Sequence, residues 1–254
     1  MKDFTLSAYK MYLQAIRSSY KTCLRFGEYL AADPKPEIFC IIRHDIDRRP
    51  TNALRMARLE HDVGIGATYY FRSKAHTFRQ RIIREIAGLG HEIGYHYESL
   101  SDADGDREPA LKDFKKNLRR FREIACVTTI SAHGRPFLPF DNRDLWRNTE
   151  NHRRLVGELG IRGDIYLDID YSDILYISDT GRNWSSTKSN IRDMVTSNIR
   201  KDFSSGTQLL RYLEDSPHAK LIFAVHPERW TDSVLEYLYQ RLFDFSVNML
   251  KEFM

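Results

Sequence analysis

The stretch 42-IRHDIDRRP-50 closes an apolar run that begins at Ile38. It sets His44, Asp45 and Asp47 within four positions before Arg48, Arg49 and Pro50 turn the chain. Desolvated charges must be paired, hydrogen-bonded or bound to a metal, so a core is a costly place for this cluster. A strand delivering its end to a shared polar pocket accounts for it better, and the rest of the chain decides between the two.

After an amphipathic opening (Tyr9, Met11, Tyr12, Ala15 and Ile16 at helical spacing), short apolar runs alternate with longer helix-like segments. The strand 38-IFCII-42 precedes a helix over 51–64, with Thr51 or Asn52 as its N-cap. Strand 67-ATYYF-71, helix 78–90, strand 91-HEIGYH-96, helix 108–125 and strand 127-VTTISAH-133 follow. A less regular part has strands at 164-DIYLDI-169 and 174-ILYIS-178 and a polar loop from Gly181 to Asn190. Helix 204–215, strand 220-KLIFAVH-226 and a long amphipathic helix from Asp232 to Phe253 close the chain. Crossovers of this length imply parallel pairing. About seven such units predict an α/β fold, a distorted (β/α)7-8 barrel, as one domain over 1–254 with its core in 38–230. No linker composition or charge shift divides the chain.

Hydrophobic residues at 42% and charged residues at 29% give the balance of an ordinary globular domain. The net charge of +4 is scattered, which argues against a nucleic-acid face. Three cysteines without a CxxC pair suggest neither a disulfide framework nor a zinc knuckle. No window approaches the roughly 18 apolar residues of a membrane span, and MKDFTLSAYK lacks an apolar signal core, so the expectation is a cytoplasmic protein.

Each expected strand ends in ionisable side chains: Asp45 and Asp47, then Arg72, His96 with Glu98, His133 with Arg135, Asp168 with Asp170, Asp179, and His226. In a parallel barrel these ends share one face, where loops build the site. Carboxylate and imidazole suit zinc or another divalent first-row metal, with a neighbouring carboxylate as base and a histidine as acid. That is the residue set of a hydrolase.

The order RHDID, ATYYFR, GHEIGYH, HGRP and VHPERW, from about Ile38 to Trp230, resembles the polysaccharide deacetylase superfamily. These are the nodulation-type deacetylases of carbohydrate esterase family four. The likeness is greatest to a branch with an HDxD first motif and HPxRW at the end. The resemblance implies a barrel holding a divalent metal, zinc by ligand type, through one aspartate and two histidines. It implies Asp45 as base, Asp47 and His96 as metal ligands, Arg135 as the arginine orienting the base, and His226 as general acid. Trp184 or Trp230 would wall the acyl pocket. Two positions depart from the pattern: Leu100 stands where the second ligand histidine belongs, and Asp45-Ile46-Asp47 replaces an adjacent pair, leaving open which carboxylate is base and which is ligand. His133 is the preferred substitute ligand, with Glu98 as the other candidate.

Simpler roles compete at several positions. His44 is expected to bond backbone at a strand end, and His91, at the start of its strand, is given no function. Asp168 and Asp170 either extend the site or edge a solvated strand. Arg48 and Arg49 either meet an anionic sugar or are ordinary loop charges. The stretch 141-DNRDLW-146 reads as a capped helix start. The activity expected is metal-dependent removal of an N-acyl group from an amino sugar of a surface polysaccharide or its precursor. The alternatives are metal-independent hydrolysis of a cyclic amide on the same fold and an inactive saccharide-binding barrel.

Overall fold

The computed structural model describes residues 2–184, 192–215 and 217–252. Helix α1 (Leu6–Ser19) and α2 (Phe26–Ala31) precede β1 (Phe39–Ile46), α3 (Pro50–Asp62), β2 (Thr68–Phe71), α4 (Gln80–Gly88) and β3 (Glu92–Tyr97). Then come α5 (Ser99–Asp102), α6 (Arg107–Arg122), β4 (Thr129–Ala132), α7 (Thr149–Leu159) and β5 (Gly163–Asp164). The chain ends with β6 (Leu175–Ser178), α8 (Gly206–Asp215), β7 (Lys220–Val225) and α9 (Val234–Glu252).

The seven strands form one sheet in the order β5-β4-β3-β2-β1-β7-β6, and every neighbouring pair is parallel. All C-terminal strand ends therefore lie on one face, as a (β/α) barrel requires. The centre of the sheet is β1, buried along its whole length because both its faces are covered. Its period-2 alternation decides the site. Cys40, Ile42 and Ile46 join the outer core beneath the helices, while Phe39 and Ile41 join an inner cluster with Tyr70, Ile165, Ile174 and Ile222. Arg43, Asp45 and Asp47 continue that inner face toward the mouth. The spacing Asp-Ile-Asp thus places both carboxylates on the side that lines the cavity.

Inner packing also explains Gly94 on β3: a Cβ there would lie 2.3 Å from the ring of Tyr70 and 3.1 Å from the Thr129 carbonyl. Edge strands β5 and β6 do not pair, so the barrel has a gap. Side chains close it: Tyr171 meets Tyr176 edge-on at 5.9 Å, and the hydroxyls of Tyr166 and Tyr176 both donate to Asp193.

Several expectations change. The strand over 164–169 is only Gly163–Asp164, because Asp164 Oδ1 accepts the Tyr166 N–H at 2.8 Å and Asp168 Oδ2 accepts the Asp164 N–H at 2.7 Å. Such carboxylate-to-backbone bonds fold the chain into a turn. The N-cap of α3 is Arg49, in the left-handed region with φ 50°, followed by Pro50 at N1; Thr51 and Asn52 are inside the helix. Helices α2, α5 and α7 were not expected. Asn148 caps α7 by accepting from Glu150 and Asn151, and Asp141 caps a 3-10 turn at Asn142–Leu145. Residues 185–190 of the polar loop and Phe253 of the last helix lie outside the described residues. Among the described residues no helix is long and apolar enough to cross a membrane.

Candidate active site

A cavity of about 400 Å³ opens at the C-terminal ends of the strands. Its floor begins with Asp47, just past β1, His96 of β3 and His133, just past β4, whose ligand-capable atoms all lie within 4.8 Å of one another. Each is held by the fold. His96 donates from Nδ1 to the Ser131 carbonyl at 2.9 Å across the β3–β4 ladder, which leaves Nε2 3.5 Å from Asp47 Oδ1. His133 continues the same ladder, its N–H bonded to the Tyr97 carbonyl, and its Nδ1 is 3.2 Å from Asp47 Oδ1.

Burial drives His133 well below the ordinary histidine pKa, against the pull of Asp47 and helped by Arg72 and His96. Burial opposes ionisation of Asp47, but the neighbouring imidazoles outweigh it and hold its carboxyl well below the usual range. Burial likewise opposes the charge on His96, and Asp45 and Asp47 reverse the balance and raise it. The residues fit a divalent cation: Asp47 Oδ1 and Asp45 Oδ1 are buried without a hydrogen-bond donor, and two imidazoles with one carboxylate are a zinc-type donor set. The Nδ1–carbonyl bond of His96 is the outer-shell contact that fixes a ligating ring.

Glu98, the other candidate ligand, is occupied elsewhere. It accepts from Arg72 through three bonds of 2.8 to 2.9 Å and lies near Lys74 and Arg135. Leu100, where the resemblance expects a histidine, is buried in the core from α5.

The arginine that holds Asp45 is Arg43, two residues earlier on the same face of β1. Its Nη2 donates to Asp45 Oδ2 at 2.9 Å and to Asp193 Oδ1 at 3.2 Å, and it bonds the Tyr166 hydroxyl. The guanidinium also stacks near the rings of Tyr166 and Tyr176, at 4.4 and 5.8 Å. Arg135 does not take this place. It pairs with Asp102 at 2.9 Å and Glu98 at 3.6 Å on the rim, because the turn after His133 aims it at α5.

Opposite the histidine pair stands His226, at the end of β7. Its Nδ1 is 2.6 Å from Asp179 Oδ1, and Asp179 also receives the His226 N–H and the Trp230 indole N–H. Burial and Arg229 lower the pKa of His226, but Asp179 more than offsets both and pushes it up to about 9. That keeps His226 a cation at neutral pH, with Nδ1 engaged by Asp179 and the residue lining the cavity. Glu228, buried beside it with Oε2 unpartnered, is pushed up to about 7 by burial.

Neither Trp184 nor Trp230 walls the cavity. Both are buried under α1 in an aromatic cluster: Phe4 stacks on Trp184 and tilts against Trp230, Tyr12 meets both edge-on, and the two indoles are tilted against each other. The apolar wall is built by Phe137, Leu138, Tyr166, Phe243 and Val247. Arg48 reaches the rim, stacked on Phe243 and 3.8 Å from Glu228, whereas Arg49 turns away to Glu236. Asp168 and Asp170 build turns, the first also 2.9 Å from His152. His44 bonds no backbone: its Nε2 is 2.5 Å from buried Glu60, on the outer face of β1. His91 donates to the Ala57 carbonyl and accepts from the Ala67 N–H.

Arg43 and Asp193 were missed. Arg43 had a legible signal, since it shares the strand face of Asp45 at i−2; Asp193, in an irregular polar segment, had none. Asp179 was noted at a strand end without its role as the partner of His226.

A parallel, helix-covered open barrel with an aspartate-histidine-histidine cluster at its mouth defines the class of this protein. No protein-family model matches the sequence. No curated protein matches it either. Among solved structures, the fold is similar to that of a family 4 carbohydrate esterase from Bacillus anthracis, 12% identical with a TM-score of 0.39, covering 83% of this chain and 75% of that one. It is similar also to a CE4 family pseudoenzyme from the same organism, 13% identical with a TM-score of 0.44, covering 84% of this chain and 62% of that one. A third is the Xyl-CE4 domain of a multidomain xylanase from the hindgut metagenome of Trinervitermes trinervoides. It is 13% identical with a TM-score of 0.37, covering 81% of this chain and 92% of that one.

Proposed function

We propose that the chain is a metal-dependent hydrolase that removes an N-acyl group from an amino sugar of a surface polysaccharide or its precursor. The observation that carries this reading is the convergence of three ligand atoms within 4.8 Å, with Asp45 on one side and a protonated His226 on the other. Asp47, His96 and His133 would hold the cation, with zinc favoured by the nitrogen-rich donor set. When bound, it supplies polarisation of the acyl carbonyl and lowers the pKa of a coordinated water.

The chain's own residues do the rest. Asp45, held at Oδ2 by Arg43, takes the proton of the attacking water through its unpartnered Oδ1. His226, kept charged by Asp179, gives its proton to the departing nitrogen. Phe137, Leu138 and Phe243 exclude water from the acyl group. The carbohydrate enters from the five ordered sequence motifs, which resemble those of the deacetylases.

Elemental analysis paired with an acetate-release assay on N-acetylated amino sugars tests this. About one equivalent of metal, lost in His96→Ala/His133→Ala, is expected. Asp45→Asn keeps the metal and loses on the order of 10²- to 10⁴-fold in turnover. Turnover that survives metal removal would point instead to metal-free hydrolysis, and sugar binding without acetate release to a silent barrel.

A further inference from the structure

Helix α9 is amphipathic in the wrong sense for a helix on a monomer. The side turned to the barrel carries Tyr237, Gln240, Asp244, Val247, Asn248 and Lys251. Many of its contacts there are polar: Gln240 bonds Asp244, Asn248 donates to the Gly181 carbonyl at 2.8 Å, and Asp244 faces Arg182 and Arg229, while Tyr237 packs on the core and Phe243 and Val247 reach the cavity mouth. The side turned to solvent carries Leu235, Leu238, Leu242, Phe245 and Met249, with Leu235 81%, Leu242 68% and Phe245 63% exposed. A helix normally buries its apolar stripe and shows its polar one. With Tyr239 and Leu250 flanking it, this stripe exposes on the order of 800 Å², well above the few hundred Å² usual for a monomer and about one partner's share of a standard interface.

The spacing identifies the occupant. Positions 235, 238, 242, 245 and 249 step by three, four, three and four, which is the a/d seam that packs against another helix. The charge on α9 rules against a lipid surface: Arg241 and Lys251 stand against Glu236, Asp244 and Glu252, without the cation excess of an interfacial helix. A two-fold pairing needs a self-complementary patch. The antiparallel arrangement supplies one, setting a positions against d positions and each helix N-terminus beside its partner's C-terminus, where the dipoles attract.

We propose that α9 is a dimerisation helix, pairing antiparallel with α9 of a second copy, Leu238 against the partner's Met249 and Leu242 against the partner's Phe245. Analytical ultracentrifugation of the full chain from roughly 0.1 to 100 μM tests it. A species of twice the chain mass is expected, reverting to monomer in Leu238→Glu/Leu242→Glu with its near-UV circular dichroism unchanged. Independently, Leu242→Cys/Phe245→Cys, with exposed Cys126 replaced by serine, is expected to form a disulfide-linked dimer under mild oxidation. Three results would overturn the proposal: a monomer at every concentration, a dimer indifferent to the glutamate pair, or a monomer that binds vesicles of anionic phospholipid.

Discussion

His226 depends on one neighbour. Its imidazole would be neutral near pH 7 from burial and from Arg229 alone; the carboxylate of Asp179 keeps it charged. The folded-state value is raised from 6.5 to about 9, so the stabilisation from this pair is complete below the ordinary value and is lost as pH rises through 9. In an NMR titration the His226 ring is therefore expected to change charge near pH 9, and in Asp179→Asn at or below its ordinary value. An unmoved titration would remove Asp179 as the cause. The same carboxylate binds the Trp230 indole and faces Arg229, so its loss also destabilises a buried network, by about 3–5 kcal/mol when a buried partner is left uncompensated. Sequence reasoning placed His226 in the site but not its source of charge, because the pair joins residues 47 positions apart.

Among the elements, strands were easier to read than their ends. The apolar runs of β1, β2, β3 and β7 announce themselves because strands covered on both faces have no polar alternation to confuse them. Strand β5 fails this test: Asp164 and Asp168 bend the backbone after two residues, and an alternating YLDID pattern disguises the turn. Helix α7 was missed because it buries only Leu155 and so shows little periodicity. Helix α9 was legible as amphipathic, while the face it turns inward was not, since that depends on Arg182, Arg229 and Gly181 from other elements. Gly94 shows packing at this scale. Replacing it by alanine drives a methyl into buried Tyr70, and a loss of about 1–3 kcal/mol is expected in urea denaturation. Unchanged stability would mean that Tyr70 has room to move.

For the whole molecule, the candidate metal cluster joins three separate strands, β1, β3 and β4, at or just past their C-terminal ends. A cation bound only in the native state stabilises by mass action, about 4 kcal/mol when free metal exceeds Kd a thousandfold. For a chain of this size that is on the order of 10 °C in Tm. A chelator should lower the melting temperature by an amount of this order, and the His96→Ala/His133→Ala double variant should be insensitive to it. A chelator-independent Tm in the parent would argue against the cluster as a metal site.

The barrel's gap joins inheritance to architecture. A backbone ladder accepts almost any side chains, so paired strands are free to drift in sequence. Between β5 and β6 the wall consists instead of Tyr166, Tyr176 and Asp193, and the Arg43 guanidinium that reaches them from β1 also holds Asp45. These positions are bound to one another as a group. A lineage that altered one of them would have to alter its companions as well, and would rebuild the wall of its barrel in the act of retuning its chemistry.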